Sequence, residues 1–331
     1  MKTSFDIFNG DADGICALLQ LRLATPKDSV LITGVKRDIV LLKQVDPAVA
    51  QDVTVLDVAM EKNRPALDNL LSQGVRVFYA DHHNPGDVPV HPSLTTHINT
   101  ASNTCTSLII DKLLEGRYRE WALVGAYGDN MIATADVLAK KAGLCEQDRT
   151  KLMQFGTYLN YNGYGSSLSD LLFAPAEIYR LMAPYPSPFS FIAERPDVYA
   201  TLENGFLSDS EKAAAIMPYS ERQGSRVYML PDEAWARRIS GVYSNDLTNR
   251  DPNVANAVIT AKVDGNYLVS IRAPLKNRTG ADELAASFPT GGAVKRQQGS
   301  MPCPPNCLTI LLMRSTSVTS WQRKKDPIWW T

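Results

Sequence analysis

Between residues 11 and 129 the chain carries four short clusters of acidic and histidine residues whose types and spacing suit divalent-cation chemistry. Asn9-Gly10-Asp11-Ala12-Asp13-Gly14 sets two carboxylates on one side of a tight turn, a geometry that fits a hard divalent cation, although Asp in such a turn also serves as an Asx-turn or N-cap residue. Asp57 closes the run VTVL and reads either as a ligand or as the N-cap of the next helix. Asp81-His82-His83 closes the run VFYA. Neighbouring side chains point in different directions, so one imidazole can ligate a metal while the other faces a substrate and Asp81 orients a ring; the alternative is a structural pair of surface histidines. Asp129, in Gly125-Ala126-Tyr127-Gly128-Asp129-Asn130, ends an apolar helical stretch and taken alone is a helix-terminal aspartate.

The elements that must position these residues follow from periodicity. Residues 3–8, 30–35 (VLITGV), 53–58 (VTVLDV) and 75–80 (VRVFYA) are apolar or β-branched runs of strand length. Helical patterns lie between them, at Gly14–Leu23 and at Lys62–Gln73, where Gly74 stands as a C-cap. That alternation predicts an α/β domain, a parallel sheet with helices on both faces, and residues 104–159 are predicted to be helical. Each cluster follows an apolar element, and a parallel sheet gathers such ends along one edge. Four Asp and one His would then meet in a pocket whose negative charge needs cations, and oxygen-rich sites with one imidazole suit Mn²⁺ or Mg²⁺ better than Zn²⁺. Two such ions polarise a phosphoryl group and make water nucleophilic at neutral pH.

Taken in order, these four motifs resemble those of the DHH phosphoesterase superfamily, named for the triplet that Asp81-His82-His83 reproduces. The resemblance implies hydrolysis of phosphodiester, phosphomonoester or pyrophosphate bonds at a two-metal site, with two Mn²⁺ or Mg²⁺ ions held by Asp11, Asp13, Asp57, His82 and Asp129, Asp57 bridging. It implies that His83, with Asp81 beside it, contacts the scissile phosphate and stabilises developing charge or acts as a general acid. Members with a histidine four residues before the first Asp differ from this chain, where that position is Ile7.

Residues 183–197 carry four Pro and read as a connection between domains. Short strands at 226–230, 254–263 and 267–273 and a helix near 280–288 then form a smaller α+β unit. That unit resembles the DHHA1 substrate-binding domain. Ser270-Ile271-Arg272 matches its Ser-x-Arg motif, whose Arg binds a substrate phosphate; without that context Arg272 reads as a strand-edge surface residue. A glycine-rich phosphate loop is expected next. Gly291-Gly292 begins it, and the pattern fails at Ala293. Permitted codons for Ala293 to Met301 (GCC GTA AAG CGG CAG CAG GGA TCA ATG), read one frame over, spell R-K-A-A-A-G-I-N, which completes the loop once a third Gly is restored by one lost G. The expectation is therefore a frame change at about Gly292. The domains expected are 1–182 (DHH), 183–222 (linker), 223–300 (DHHA1-like) and an atypical tail at 301–331.

The 331 residues hold 34 Lys+Arg against 35 Asp+Glu, with 44% apolar and 21% charged residues, which excludes a mainly disordered chain. Residues 293–331 carry six basic residues and one acidic, leaving a net charge of −6 on residues 1–292. An acidic body favours a small metal-bridged substrate over a long polyanion, which calls for a basic track. No run approaches the roughly 18–20 apolar residues of a spanning helix. Five scattered Cys without a CxxC pair fit a reducing compartment. The expectation is a cytoplasmic phosphodiesterase that cuts short oligonucleotides or linear dinucleotides such as pGpG, with no membrane partner and a homodimer as its assembly. The alternatives are a RecJ-like single-strand exonuclease, a pAp phosphatase and a catalytically impaired nucleotide-binding protein. Cys16, Cys105 and Cys145 read as core residues, Lys36-Arg37 as a solvated pair rather than a phosphate contact, and His91 and His97 as loop residues.

Overall fold

The computed structural model describes residues 2–261, 265–277, 281, 284, 292–294 and 298–303, the last two stretches as backbone. The chain divides into two compact units, Met1–Phe206 and Leu207–Thr331.

The first unit is built on five parallel strands, β1 (Thr3–Phe8), β2 (Val30–Ile32), β3 (Ala50–Leu56), β4 (Arg76–Asp81) and β5 (Leu94–Ile98), in the order β2-β1-β3-β4-β5. Its helices are α1 (Ala12–Ala24), α2 (Met60–Ser72), α3 (Thr106–Leu113), α4 (Arg119–Gly128), α5 (Ile132–Lys141), α6 (Glu146–Gly163), α7 (Pro175–Met182) and α8 (Pro188–Glu194). Strand alternation assigns the two faces. Phe5, Ile7, Val53, Val55, Val77 and Tyr79 pack against Leu67 and Leu70 of α2. Phe8, Leu56 and Ala80 belong to the larger core with Ile15 and Leu19 of α1, Trp121 of α4 and Phe155 of α6. Ile7, standing where some DHH sequences carry histidine, is therefore fully buried in the α2-side core. The chain leaves β1 toward β2 on one side and re-enters at β3 on the other, which makes the β1/β3 boundary the switch point where open α/β sheets bind ligands.

Four local expectations change. The second strand ends at Ile32, and just past it Gly34 packs against the Asp38 side chain, where a Cβ would lie 2.2 Å from Oδ2. His97 sits on the edge strand β5, its ring 5.1 Å from that of Phe78, rather than in a loop; that strand is half exposed and has no apolar run to announce it. The proline-rich stretch 183–197 is largely helical: α8 opens on Pro188 and α9 (Pro196–Ala214) on Pro196, positions where a fixed φ favours the first turn. Cys16 and Cys105 are buried as expected, but Cys145 is exposed and caps α6.

The second unit contains β6 (Ser220–Arg222), β7 (Ser225–Leu230), α10 (Ala234–Arg250), β8 (Ala255–Ala261), β9 (Tyr267–Arg272), β10 (Gly292–Val294) and β11 (Gln298–Cys303). They form a mixed sheet in the order β10-β11-β9-β8-β7-β6, with β7 and β8 parallel and α10 between them in sequence. Val227, Ile259, Val269 and Ile271 make its core. Gly292 is described as backbone in β10, opposite Ser300. Gly291, most of the helix expected near 280–288 and the tail beyond Cys303 lie outside the described residues. Among the described residues, no helix is long and apolar enough to cross a membrane.

Candidate active site

The C-terminal ends of β1, β3 and β4 and of α4 bring Asp11, Asp13, Asp57, Asp81, His82, His83 and Asp129 together. The site is packed tightly enough to need glycine: a Cβ on Gly163 would lie 2.9 Å from the Gly10 carbonyl and 3.1 Å from Asp11 Cα.

Asp11 is both the N-cap of α1 and a member of the cluster. Its Oδ1 accepts from Gly14 N at 3.1 Å, and its Oδ2 lies 2.6 Å from Lys36 Nζ. Burial alone would raise its pKa, but the Lys36 ammonium and the Gly14 amide hold it below the usual carboxylate range. Asp13, fully buried, accepts two backbone N–H groups from the start of α3: Ser107 N at 2.7 Å and Thr106 N at 2.8 Å. The helix N-terminus thus fixes this carboxylate. Asp57 sits at φ 58°, in the left-handed region that short polar side chains tolerate best. Its Oδ1 accepts from Thr106 Oγ1 at 3.1 Å. Burial, then the nearby Asp13 and Asp11 charges, push its pKa well up.

His82 is the hub. Its Nε2 lies 3.4 Å from Asp57 Oδ1, 3.8 Å from Asp129 Oδ2 and 4.0 Å from Asp13 Oδ2. Burial opposes its charge, but the hydrogen bond to Asp57 and the surrounding carboxylates win and raise its pKa to about 11. Asp129 follows α4 as its C-cap, and burial lifts its pKa to about 6 despite Lys36 and His82. His83 pairs Nδ1 with Asp81 Oδ1 at 2.8 Å, while the side chain stays 39% exposed. Asp81 is itself buried, so it can fix the ring without meeting solvent.

The donor set fits a hard divalent cation. Asp13, His82 and Asp129 offer one ligand atom each within 4.8 Å of one another, and so do Asp57, His82 and His83. Two buried acceptors beside them, Asn9 Oδ1 and Asp81 Oδ2, have no hydrogen-bond partner among the described residues.

Several residues of the site carry no local sequence signal. Lys36 is not solvated: its ammonium bonds Asp11 and Asn160 Oδ1 (2.9 Å) and lies 3.8 Å from Asp129. Asn160 and the neighbouring Tyr164 come from the end of α6, and Thr106 and Ser107 from α3. The Asn-Thr-Cys-Thr-Ser run at 103–107, polar residues just ahead of an apolar helix, is the cue that could have marked the last two.

In the second unit, described by itself, Arg272 is buried and donates from Nε to Asn245 Oδ1 at 2.9 Å and from a terminal nitrogen to Ser270 Oγ at 3.1 Å. It is not the strand-edge surface residue of the context-free reading. Alternate residues of one strand share a face, which is what joins Ser270 to Arg272.

No family model and no curated protein matches the sequence. Solved structures are similar in fold. Exonuclease RecJ bound to manganese is similar with a TM-score of 0.64 at 13% identity, over 98% of this chain and 91% of that one. The manganese complex of RecJ from Thermus thermophilus gives 0.65 at 14% identity; this chain spans 53% of its length. A pGpG-specific phosphodiesterase, PggH from Vibrio cholerae, gives 0.52 at 12% identity, over 96% of this chain and 99% of that one.

Proposed function

We propose that this chain, which has the fold of the DHH phosphoesterases, is a metal-dependent phosphodiesterase that cuts short oligonucleotides or linear dinucleotides of the pGpG type to mononucleotides. The observation that carries the reading is the position of His82 Nε2 between Asp57, Asp129 and Asp13, an acid cage that needs cations to be stable at neutral pH. Asp11, Asp13, Asp57, His82 and Asp129 would hold two divalent ions, Mn²⁺ or Mg²⁺, which supply phosphoryl polarisation and activation of water.

The protein's own residues do the rest. The α3 amides hold both oxygens of Asp13 in place, so one wall of the cage needs no reorganisation during turnover. Asp81 accepts from His83 Nδ1, which fixes the ring and leaves Nε2 to meet the scissile phosphate or to protonate the leaving oxygen. The half-exposed His83 can reach a substrate that the buried Asp13 cannot. In the second unit, Ser270 and Asn245 hold the Arg272 fork, which together with Gly291 and Gly292 would bind a substrate phosphate.

A RecJ-like exonuclease is the second reading, favoured by the higher TM-scores to RecJ. Its counterweight is the net charge of −6 on residues 1–292, which works against a long polyanion. A ladder of single strands from dinucleotide upward separates the two. The highest kcat/KM at two to four nucleotides supports the short-substrate enzyme; a kcat/KM that climbs with length overturns it in favour of the exonuclease.

A further inference from the structure

The sheet of the first unit ends on β5, and among the described residues no strand pairs with its outer edge. Proteins usually blunt such an edge with a charge, a proline or a bulge, because its free N–H and C=O groups invite another strand. β5 has none of these: it reads LTTHI, and its register with β4 runs unbroken from Leu94 to Ile98. The uncharged stretch also extends beyond the strand. Residues 88–110 hold no Asp, Glu, Lys or Arg in a chain that is 21% charged, so a partner meets no charge from this segment to desolvate.

The backbone fixes what the edge offers. Ser93 O accepts from Val77 N at 2.8 Å and Asn99 N donates to Asp81 O at 3.1 Å, so the odd-numbered residues of β5 turn their N–H and C=O toward β4. Leu94, Thr96 and Ile98 therefore turn theirs outward, with the Leu94 N–H taken up by His91 O at 3.0 Å. An antiparallel strand centred on Thr96 engages all three. Thr96 exchanges two hydrogen bonds with its equivalent, and the Ile98 N–H reaches the Leu94 C=O of the other strand. The neighbouring registers set Ile98 against Pro92, which has no N–H, or carry Leu94 past the end of the strand to Thr100.

The side chains fit the strand's own sequence read backwards. LTTHI runs apolar, polar, polar, polar, apolar in both directions. About Thr96, Leu94 of each copy meets Ile98 of the other on the face where both already pack on the α2-side core, and Thr96 meets Thr96. On the opposite face Thr95 meets His97, whose ring lies 5.1 Å from that of Phe78. Val88 and Val90, both exposed, lie in the loop that leads into the strand and give this boundary apolar surface.

We propose that two copies of this chain pair antiparallel along β5, about a twofold axis at Thr96, joining their five-stranded sheets into one. An isologous contact of this kind closes on itself and removes the exposed edge.

The test is the mass of the full chain in solution, read by sedimentation equilibrium across a concentration series. Wild type should weigh as a dimer. Thr96→Pro deletes an N–H that points away from β4, so the circular dichroism of the fold should be kept. The dimer loses two symmetric hydrogen bonds, which should raise its dissociation constant roughly 5- to 150-fold. Thr96→Lys and Thr96→Glu each set like charges face to face across the axis and should dissociate; mixed, they should form the heterodimer. A monomeric wild type overturns the proposal and leaves the edge for an extended segment of a different protein. So does a dimer whose dissociation constant is unmoved in folded Thr96→Pro and in both charged variants. Charged variants that dissociate but do not reassociate on mixing overturn the twofold axis at Thr96.

Discussion

Lys36 Nζ stands 2.6 Å from Asp11 Oδ2 and 3.8 Å from Asp129 Oδ1, so an ammonium from one loop is built into a cage of carboxylates drawn from β1 and α4. It pairs with the cluster's carboxylates in the metal-free chain, and on the proposed reading it would compete with a divalent ion for the same oxygens. Lys36→Met removes the competitor. With a side chain 22% exposed, the screened repulsion is about 1–2 kcal/mol, so the variant should bind Mn²⁺ roughly 5- to 30-fold more tightly by calorimetry. Equal or weaker binding in a folded variant contradicts a competing role.

Asp13 is the residue whose geometry the chain controls most closely, since both its oxygens accept amides of α3. Asp13→Asn turns an amide NH₂ toward Thr106 N or Ser107 N and leaves a buried donor unpaired. Urea unfolding in EDTA should show a loss of about 2–4 kcal/mol. A loss below about 1 kcal/mol would show that the α3 amides do not depend on this carboxylate.

The φ of 58° at Asp57 separates its backbone role from its chemical one. Asp57→Gly and Asp57→Ala both remove the carboxylate, but only alanine keeps the cost of the left-handed conformation. In metal-free protein the glycine variant should be the more stable by about 1 kcal/mol, with metal affinity lost in both. The reverse order in chemical denaturation would exclude backbone strain at this position.

The pH dependence follows from His82 and Asp129. His82 is raised from 6.5 to about 11, so its contribution to metal-free stability is complete below about pH 6.5 and is lost as pH rises toward 11. Asp129 is raised from 3.8 to about 6, so its contribution is complete below about 3.8 and gone above about 6. An ion taken up at Asp13, His82 and Asp129 must displace the His82 proton. Mn²⁺ should therefore raise Tm more at pH 8 than at pH 6.5, and filling the position that includes His82 at pH 7.5 should release about one proton, read as a dependence of the binding heat on buffer ionisation. A shift independent of pH, with no proton release, would count against His82 as a ligand.

The acidic and histidine members of the site were legible because each ends an apolar run, and a parallel sheet delivers such ends to one edge. Lys36 was misread as solvated because its partners Asp11, Asp129 and Asn160 lie 25, 93 and 124 residues away, beyond the reach of any periodicity. Thr106 and Ser107 act on Asp13 through backbone amides, which every non-proline residue has, so their identity carried little signal. The strand β5 escaped for a different reason: an exposed edge strand reading LTTHI alternates too weakly to stand out from a loop.

Hydrolysis of a phosphodiester with a bound divalent ion is the reaction proposed for the cage around His82. Its most direct test is the release of mononucleotide from pGpG by the purified chain with Mn²⁺ or Mg²⁺, set against EDTA and against His82→Ala. Release that needs the ion, is abolished by the chelator and falls by at least about a thousandfold in the variant is the result predicted. A folded, metal-loaded chain that releases nothing, or a His82→Ala variant that keeps wild-type turnover, would contradict it.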